Sequence, residues 1–266
     1  MRGLIHKVAM VVGAGSGIGG ATARRLAEEG ASVAVVDIEK DAAEATVAEI
    51  LADGGRGLAL TADATSPEDV GRAVDQLLGE LGGLDVLVNS VARVPRRTMY
   101  DITPQEWRDT IDACLYSYFV TTRAALPHLV TRGGGKIVNV CSVTAHVGAQ
   151  LPAYSAAKGA ILSWSREIAV EFAHHGITVN TVSPGVIETP INTEVLRSDA
   201  VRNTMRDAIP LARFGRPEDV AATIAFLASS DADFVSGADI VVDGAMIASA
   251  SWGTARSAWQ THDAPR

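Results

Sequence analysis

Three side chains with useful chemistry fall within one short stretch: Ser142, Tyr154 and Lys158. Residues 137–141, just before the serine, carry no charge and are rich in β-branched side chains, the composition of a buried strand, and Pro152 suits the first position of a helix. Ser142 is therefore expected at the carboxyl end of a strand. Tyr154 and Lys158, at i and i+4, share one face of the following helix. An ammonium near a phenol favours phenolate and should lower the phenol pKa from its ordinary value of about 10. The chemistry such a trio suits is proton exchange at an alcohol or carbonyl oxygen while hydride moves at the carbon. An isolated Tyr-x-x-x-Lys match is more often a surface pair, so this reading requires a dinucleotide site at the same sheet edge.

The amino-terminal region supplies one. Residues 8–12 form an apolar run ending in Gly13, Gly17 and Gly19, and residues 21–29 have helical composition with Gly30 placed to end the helix. Glycines here permit a tight turn and close backbone approach, so the amides opening the helix can hold a pyrophosphate. A flexible turn would need no such flanks. Asp37 ends the second apolar run, where a carboxylate can accept the hydroxyls of an adenosine ribose and repel a 2′-phosphate, although an aspartate capping the next helix would read the same way. Ser16 occupies a loop position where a basic residue would have offered a phosphate partner. Together these favour NAD over NADP.

Around these sites, apolar runs at 32–37, 57–61, 84–89, 136–141, 177–183 and 239–242 alternate with helix-length segments. That pattern predicts a single-domain, doubly wound α/β fold with a parallel sheet of about seven strands, helices on both faces and right-handed crossovers. The domain spans 1–247. Residues 187–209, polar and bounded by prolines, are expected to leave the sheet edge as a substrate lid with one or two short helices.

At 266 residues, 47% hydrophobic and 20% charged, the chain has the composition of a soluble globular enzyme. A net charge of -8 disfavours nucleic acid and anionic membrane surfaces, and no apolar run reaches the roughly 18 residues of a span. Cys114 and Cys141 are the only cysteines and no Cys/His cluster has metal spacing, so no metal is expected. Residues 1–7 lead into a strand without the features of a signal peptide, which points to the cytoplasm.

The glycine loop, Asp63 after the third strand, Ser142, Tyr154-x-x-x-Lys158, Asn180-Thr-Val-Ser-Pro184-Gly185, Thr189-Pro190, Gly215-Arg-Pro-Glu-Asp219 and Val242-Asp-Gly244 occur in one order. In that order the chain resembles the short-chain dehydrogenase/reductase family over roughly residues 5–247. The resemblance implies a Rossmann fold binding NAD, an alcohol or ketone substrate, and a homotetramer or dimer paired through helices at 104–129 and 153–174. It implies that Ser142 positions the substrate, Tyr154 exchanges its proton, and Lys158 holds the nicotinamide ribose. It further implies cofactor contacts from Ser16, Ile18 and the loop glycines, from Asp37 and Ile38, and from Asp63 and Ala64 at the adenine. Asn89 to Val91 would line the ribose, and Pro184, Gly185, Ile187 and Thr189 the nicotinamide end.

Three positions depart from the family pattern. Val12 replaces a threonine, and Asn89-Ser-Val-Ala92 replaces Asn-Asn-Ala-Gly. These ends of neighbouring strands lose polar groups that could have satisfied each other, and a paired loss costs less than a single one. Cys114 stands where the family has a fourth catalytic residue, asparagine. A thiol is expected not to replace the carboxamide as donor and acceptor, leaving Cys114 a backbone role in a proton relay if the helix keeps a local distortion. These departures are what a second reading uses, a dinucleotide-binding scaffold or sensor with weakened catalysis.

Other residues have plainer readings. Arg93, Arg96 and Arg97 could meet an anionic group, though clustered loop arginines are usually solvated. His146 is a substrate-contact candidate, and Cys141 should point into the core. Residues 248–266 have the composition of a disordered tail except for Trp252 and Trp259, whose indoles suggest packing on the lid or on a neighbouring subunit.

Overall fold

Runs of Val, Ile, Leu and Ala without polar alternation give the strands, because both faces of the sheet are covered. The computed structural model describes residues 1–249, so the tail at 250–266, with both of its tryptophans, lies outside the described residues. Seven parallel strands run β1 (Val8–Val12), β2 (Ser32–Asp37), β3 (Arg56–Thr61), β4 (Val86–Asn89), β5 (Gly135–Val140), β6 (Ile177–Pro184) and β7 (Asp239–Val242). Their order is β3-β2-β1-β4-β5-β6-β7, as the doubly wound reading requires. Alternation along β1 divides the core in two. Ala9 and Val11 face α1 (Gly17–Glu28), α2 (Lys40–Ala52) and, on the same side of the sheet, α8 (Pro217–Ala228). Val8, Met10 and Val12 face α3 (Pro67–Leu81), α5 (Ser117–Thr131) and α6 (Pro152–Phe172).

The winding reverses between β1 and β4, where Val12 and Asn89 are register partners. A crevice therefore opens beyond the carboxyl ends of these strands. The positions of Val12 and Ser90 meet at this seam, where the Ser90 N–H donates to the Val12 carbonyl at 2.9 Å.

The expected helix at 104–129 is interrupted. α4 (Pro104–Ile111) opens on a reciprocal cap between Thr103 and Glu106, and a single π turn (Asp112–Tyr116) separates it from α5. Thr110, Cys114 and Tyr118 all point inward at steps of four, a spacing the wider turn accommodates. The segment at 187–209 holds two single-turn 3-10 helices, Pro190–Asn192 and Val195–Arg197, then α7 (Asp199–Asp207). Among the described residues no helix is long and apolar enough to cross a membrane.

Candidate active site

A cavity of about 1160 Å³ occupies the crevice, large enough for an extended ligand with further space beside it. Its floor at one end is the turn between β1 and α1. Gly13 has φ +75°, and a Cβ there would lie 2.9 Å from the Val91 nitrogen. At Gly19 a Cβ would collide with the Gly13 carbonyl, so the turn closes only with glycine. Ser16 is the last extended residue before α1, and Ser16, Gly17, Ile18 and Gly19 all line the cavity.

Asp37 reaches this turn from β2. One carboxylate oxygen accepts from the Gly15 N–H at 2.8 Å and the other from the Glu39 N–H at 3.1 Å. The alternative of a helix cap is excluded, because Glu39 occupies the cap position of α2. Asp37 and Ile38 line the cavity beside Asp63 and Ala64, with Asp63 held by the Thr65 N–H and hydroxyl at 2.8 and 2.7 Å. Pro184, Gly185, Ile187 and Thr189 line the far wall. A turn with no room for Cβ atoms, a helix amino terminus and a fixed carboxylate fit a nicotinamide dinucleotide.

Ser142, Tyr154 and Lys158 line the other end of the cavity. Ser142 lies two residues past β5, and its hydroxyl oxygen accepts from the Thr144 N–H and hydroxyl, both at 3.1 Å. With its acceptor sites used, its one hydrogen is left to donate into the cavity. α6 begins at Pro152, as its sequence predicts, and carries Tyr154 and Lys158. Lys158 is 1% exposed. Its Nζ donates to the Val140 carbonyl at 2.7 Å and to the Tyr118 hydroxyl at 3.2 Å, and lies 5.6 Å from the Tyr154 ring centre.

The expected depression of the Tyr154 pKa is not found. Burial pushes the phenol well above its ordinary value, and the Ser142 hydroxyl opposes this without reversing it. Burial likewise lowers Lys158. Desolvation thus outweighs the ammonium in the protein alone, and both groups are shifted toward their neutral forms.

Two sequence expectations fail on orientation. Asn89 does not line the cavity. Its carboxamide is buried in a polar network, donating to Asn139 at 2.9 Å and accepting from Thr121 at 2.7 Å, because it points into the covered face of the sheet. Its neighbours Ser90 and Val91 supply the wall instead. His146 turns away to Asp239 at 2.9 Å and Ser183 at 3.4 Å.

The expectation for Cys114 is corrected as well. Its sulfur accepts from the Arg93 N–H at 3.2 Å and donates to the Arg93 carbonyl at 3.4 Å, so the thiol does act as both donor and acceptor. It sits in the π turn, which is the local distortion its backbone role required. Cys141 is buried, as expected, and donates to the Lys158 carbonyl at 3.1 Å. The three arginines line the cavity but differ: Arg93 pairs with Asp109 at 3.5 Å and Arg97 with Glu106 at 3.3 Å, whereas Arg96 bonds the neutral Asn192 at 2.7 Å. Sequence reasoning missed Tyr118. The available signal was a phenol on a helix face otherwise built of small and apolar residues, four positions from Cys114.

A profile of the family described as enoyl-(acyl carrier protein) reductase matches residues 13–246. Cyclohexanol dehydrogenase of Acinetobacter sp. is 38% identical over 242 residues, covering 90% of this chain and 94% of the relative. Cis-4-hydroxycyclohexanecarboxylate dehydrogenase of Sinomonas cyclohexanicum is 43% identical over 242 residues, 90% and 96% of the two chains. The crystal structure of a short-chain type dehydrogenase/reductase from Mycobacterium marinum superposes with a TM-score of 0.87 at 36% identity, over 91% of this chain and 96% of that one. With the glycine turn, the sheet order and these likenesses together, the chain belongs to the short-chain dehydrogenase/reductase family of oxidoreductases.

Proposed function

We propose that this protein is an NAD(H)-dependent oxidoreductase that interconverts a secondary alcohol and a ketone, with Tyr154 as acid and base. The observation that carries the reading is the convergence of Ser142, Tyr154 and Lys158 at one end of a cavity whose other end holds the glycine turn and Asp37. A bound nicotinamide ring would accept the hydride from the alcohol carbon, or return it to the ketone. In oxidation, Ser142 donates to the substrate oxygen and orients it, and the Tyr154 phenolate removes the hydroxyl proton. Lys158 favours that phenolate electrostatically and offers its cavity-side N–H to the nicotinamide ribose. Ile187 and Thr189 meet the carboxamide, and the 187–209 segment covers the substrate. NAD is preferred because the Asp37 carboxylate faces the place a 2′-phosphate would occupy.

Arg96 favours a substrate with an anionic group remote from the alcohol, since the carboxylates that neutralise its two neighbours leave it facing only neutral acceptors. The name of the hydroxycyclohexanecarboxylate relative agrees with that choice. The scaffold reading drew on Cys114, and the two thiol contacts with Arg93 weaken its basis. We place the enzyme in the cytoplasm and expect a homotetramer or dimer formed through α4, the π turn, α5 and α6, where Tyr116, Phe119 and Val170 are exposed.

Turnover of cyclic secondary alcohols, with and without a carboxylate, using NAD and NADP tests the reading. Expected are tighter binding of NAD, preference for the carboxylated alcohol, and a loss of about 10²- to 10⁴-fold in Tyr154→Phe with NAD binding retained. Equal or tighter binding of NADP overturns the Asp37 argument. Loss of NAD binding in step with activity overturns the role given to Tyr154.

A further inference from the structure

Among the described residues, Tyr118 and Lys158 are the two largest fully buried side chains, and they touch. Tyr118 does not line the cavity. Its hydroxyl lies 3.1 Å from the Val91 carbonyl and 3.1 Å from the Val140 carbonyl, besides the 3.2 Å contact with Lys158 Nζ. An ammonium has no lone pair, so in this contact Nζ donates and the phenol oxygen accepts. The phenol's own hydrogen then goes to one of the two carbonyls. The hydroxyl is thus seated between the Val91 carbonyl, two residues past β4, and the Val140 carbonyl at the end of β5, donating to one of them, and it accepts from the lysine.

We propose that Tyr118 is a positioning residue for Lys158: clamped between the Val91 and Val140 carbonyls, its phenol holds the ammonium near Tyr154 without a neutralising counter-charge. The choice of side chain matters. A carboxylate there would hold the lysine equally well but cancel its charge, whereas a deeply buried phenol stays protonated. Nζ uses two of its three hydrogens on Tyr118 and Val140, and the third remains for the cavity side, which Lys158 also lines. One turn earlier, Cys114 fastens Arg93, so the two side chains together pin residues 91 and 93 of the cavity wall. The departures at Cys114 and in the 89–92 loop are therefore joined through one face of the helix.

The kinetic part of the test rests on the oxidoreductase reading, while the spectroscopic part does not. The chain has only four lysines, Lys7, Lys40, Lys136 and Lys158, so side-chain NMR of lysine-labelled protein resolves the buried one. In Tyr118→Phe, losing a hydrogen bond to the charged form should lower the Lys158 titration midpoint by about one pH unit. The acid limb of alcohol oxidation should rise by about as much. Near neutral pH, kcat should fall about tenfold while KM for the alcohol changes less than threefold. A purely structural role would lower the melting temperature and move neither pH value. A folded variant with an unmoved Lys158 midpoint overturns the proposal. A moved midpoint in a protein that turns over no alcohol supports it and rejects the oxidoreductase reading instead. Should the variant fail to fold, a crystal structure of the wild-type protein with NAD decides: Nζ within hydrogen-bond reach of the Tyr118 hydroxyl supports the proposal, and a separation beyond about 4 Å overturns it.

Discussion

The sheet has a buried charge beyond each end of its central strands, and the two are treated in opposite ways. At the amino ends Asp85, with a side chain 6% exposed, faces Lys7 at 3.1 Å and Arg132 at 3.1 Å, and accepts from the Val8 N–H at 2.9 Å. Burial alone would raise its carboxyl pKa, but Arg132, the Val8 amide and Lys7 together hold it below the ordinary range. At the carboxyl ends Lys158 has only a carbonyl and a phenol. One end satisfies its charge and gains stability from it. The other keeps a charge available to a ligand, at a cost in stability.

Lys158→Met tests the contrast most severely. It should reduce turnover by 10²-fold or more while leaving the melting temperature unchanged or higher, because an uncompensated buried ammonium is removed. A clear drop in melting temperature would mean that the lysine stabilises the fold after all. Asp85→Asn should do the converse, lowering stability by about 3 kcal/mol, since two cations lose their partner, with kcat at 25 °C nearly unchanged. The pH dependence follows from the lowered pKa: Asp85 contributes stability above its unfolded value of about 3.9 and loses it as pH falls through the lower folded value. Acid unfolding of Asp85→Asn should accordingly be shallower below about pH 4, and an unchanged slope would count against the ion cluster. The smallest effect is expected for Cys114→Asn, within about threefold in kcat, because the amide reproduces contacts the thiol already makes. A gain of several orders of magnitude would reveal a weakened enzyme and revive the scaffold reading.

Much of the frame was legible because it depends on local rules. Apolar runs gave the strands to within two residues at either end, Pro152 marked the start of α6, and the glycine spacing located the cofactor turn. What escaped depends on three-dimensional surroundings. Asn89 ends a strand that is covered on both faces, and its position in sequence does not say that its carboxamide joins Asn139 and Thr121 under the helices instead of lining the crevice. His146 is close to Ser142 in sequence, yet Asp239, 93 residues away, decides where its ring goes. The Tyr154 pKa was read from its helical neighbour, whereas burial, a property of the whole fold, sets its direction. Tyr118 was invisible for a related reason: a 3.6-residue period places it correctly only if the π turn before it is known.

That turn also makes part of the site a matter of counting. Relative to a regular helix, the five residues from Asp112 to Tyr116 take up the length of a shorter piece of chain, so everything after them is rotated in phase by about one residue, or about 100°. Cys114 and Tyr118 face inward through that phase as much as through their identities. The gain or loss of a single residue resets that phase, so the reading frame of the helix is itself a determinant of where Lys158 is held.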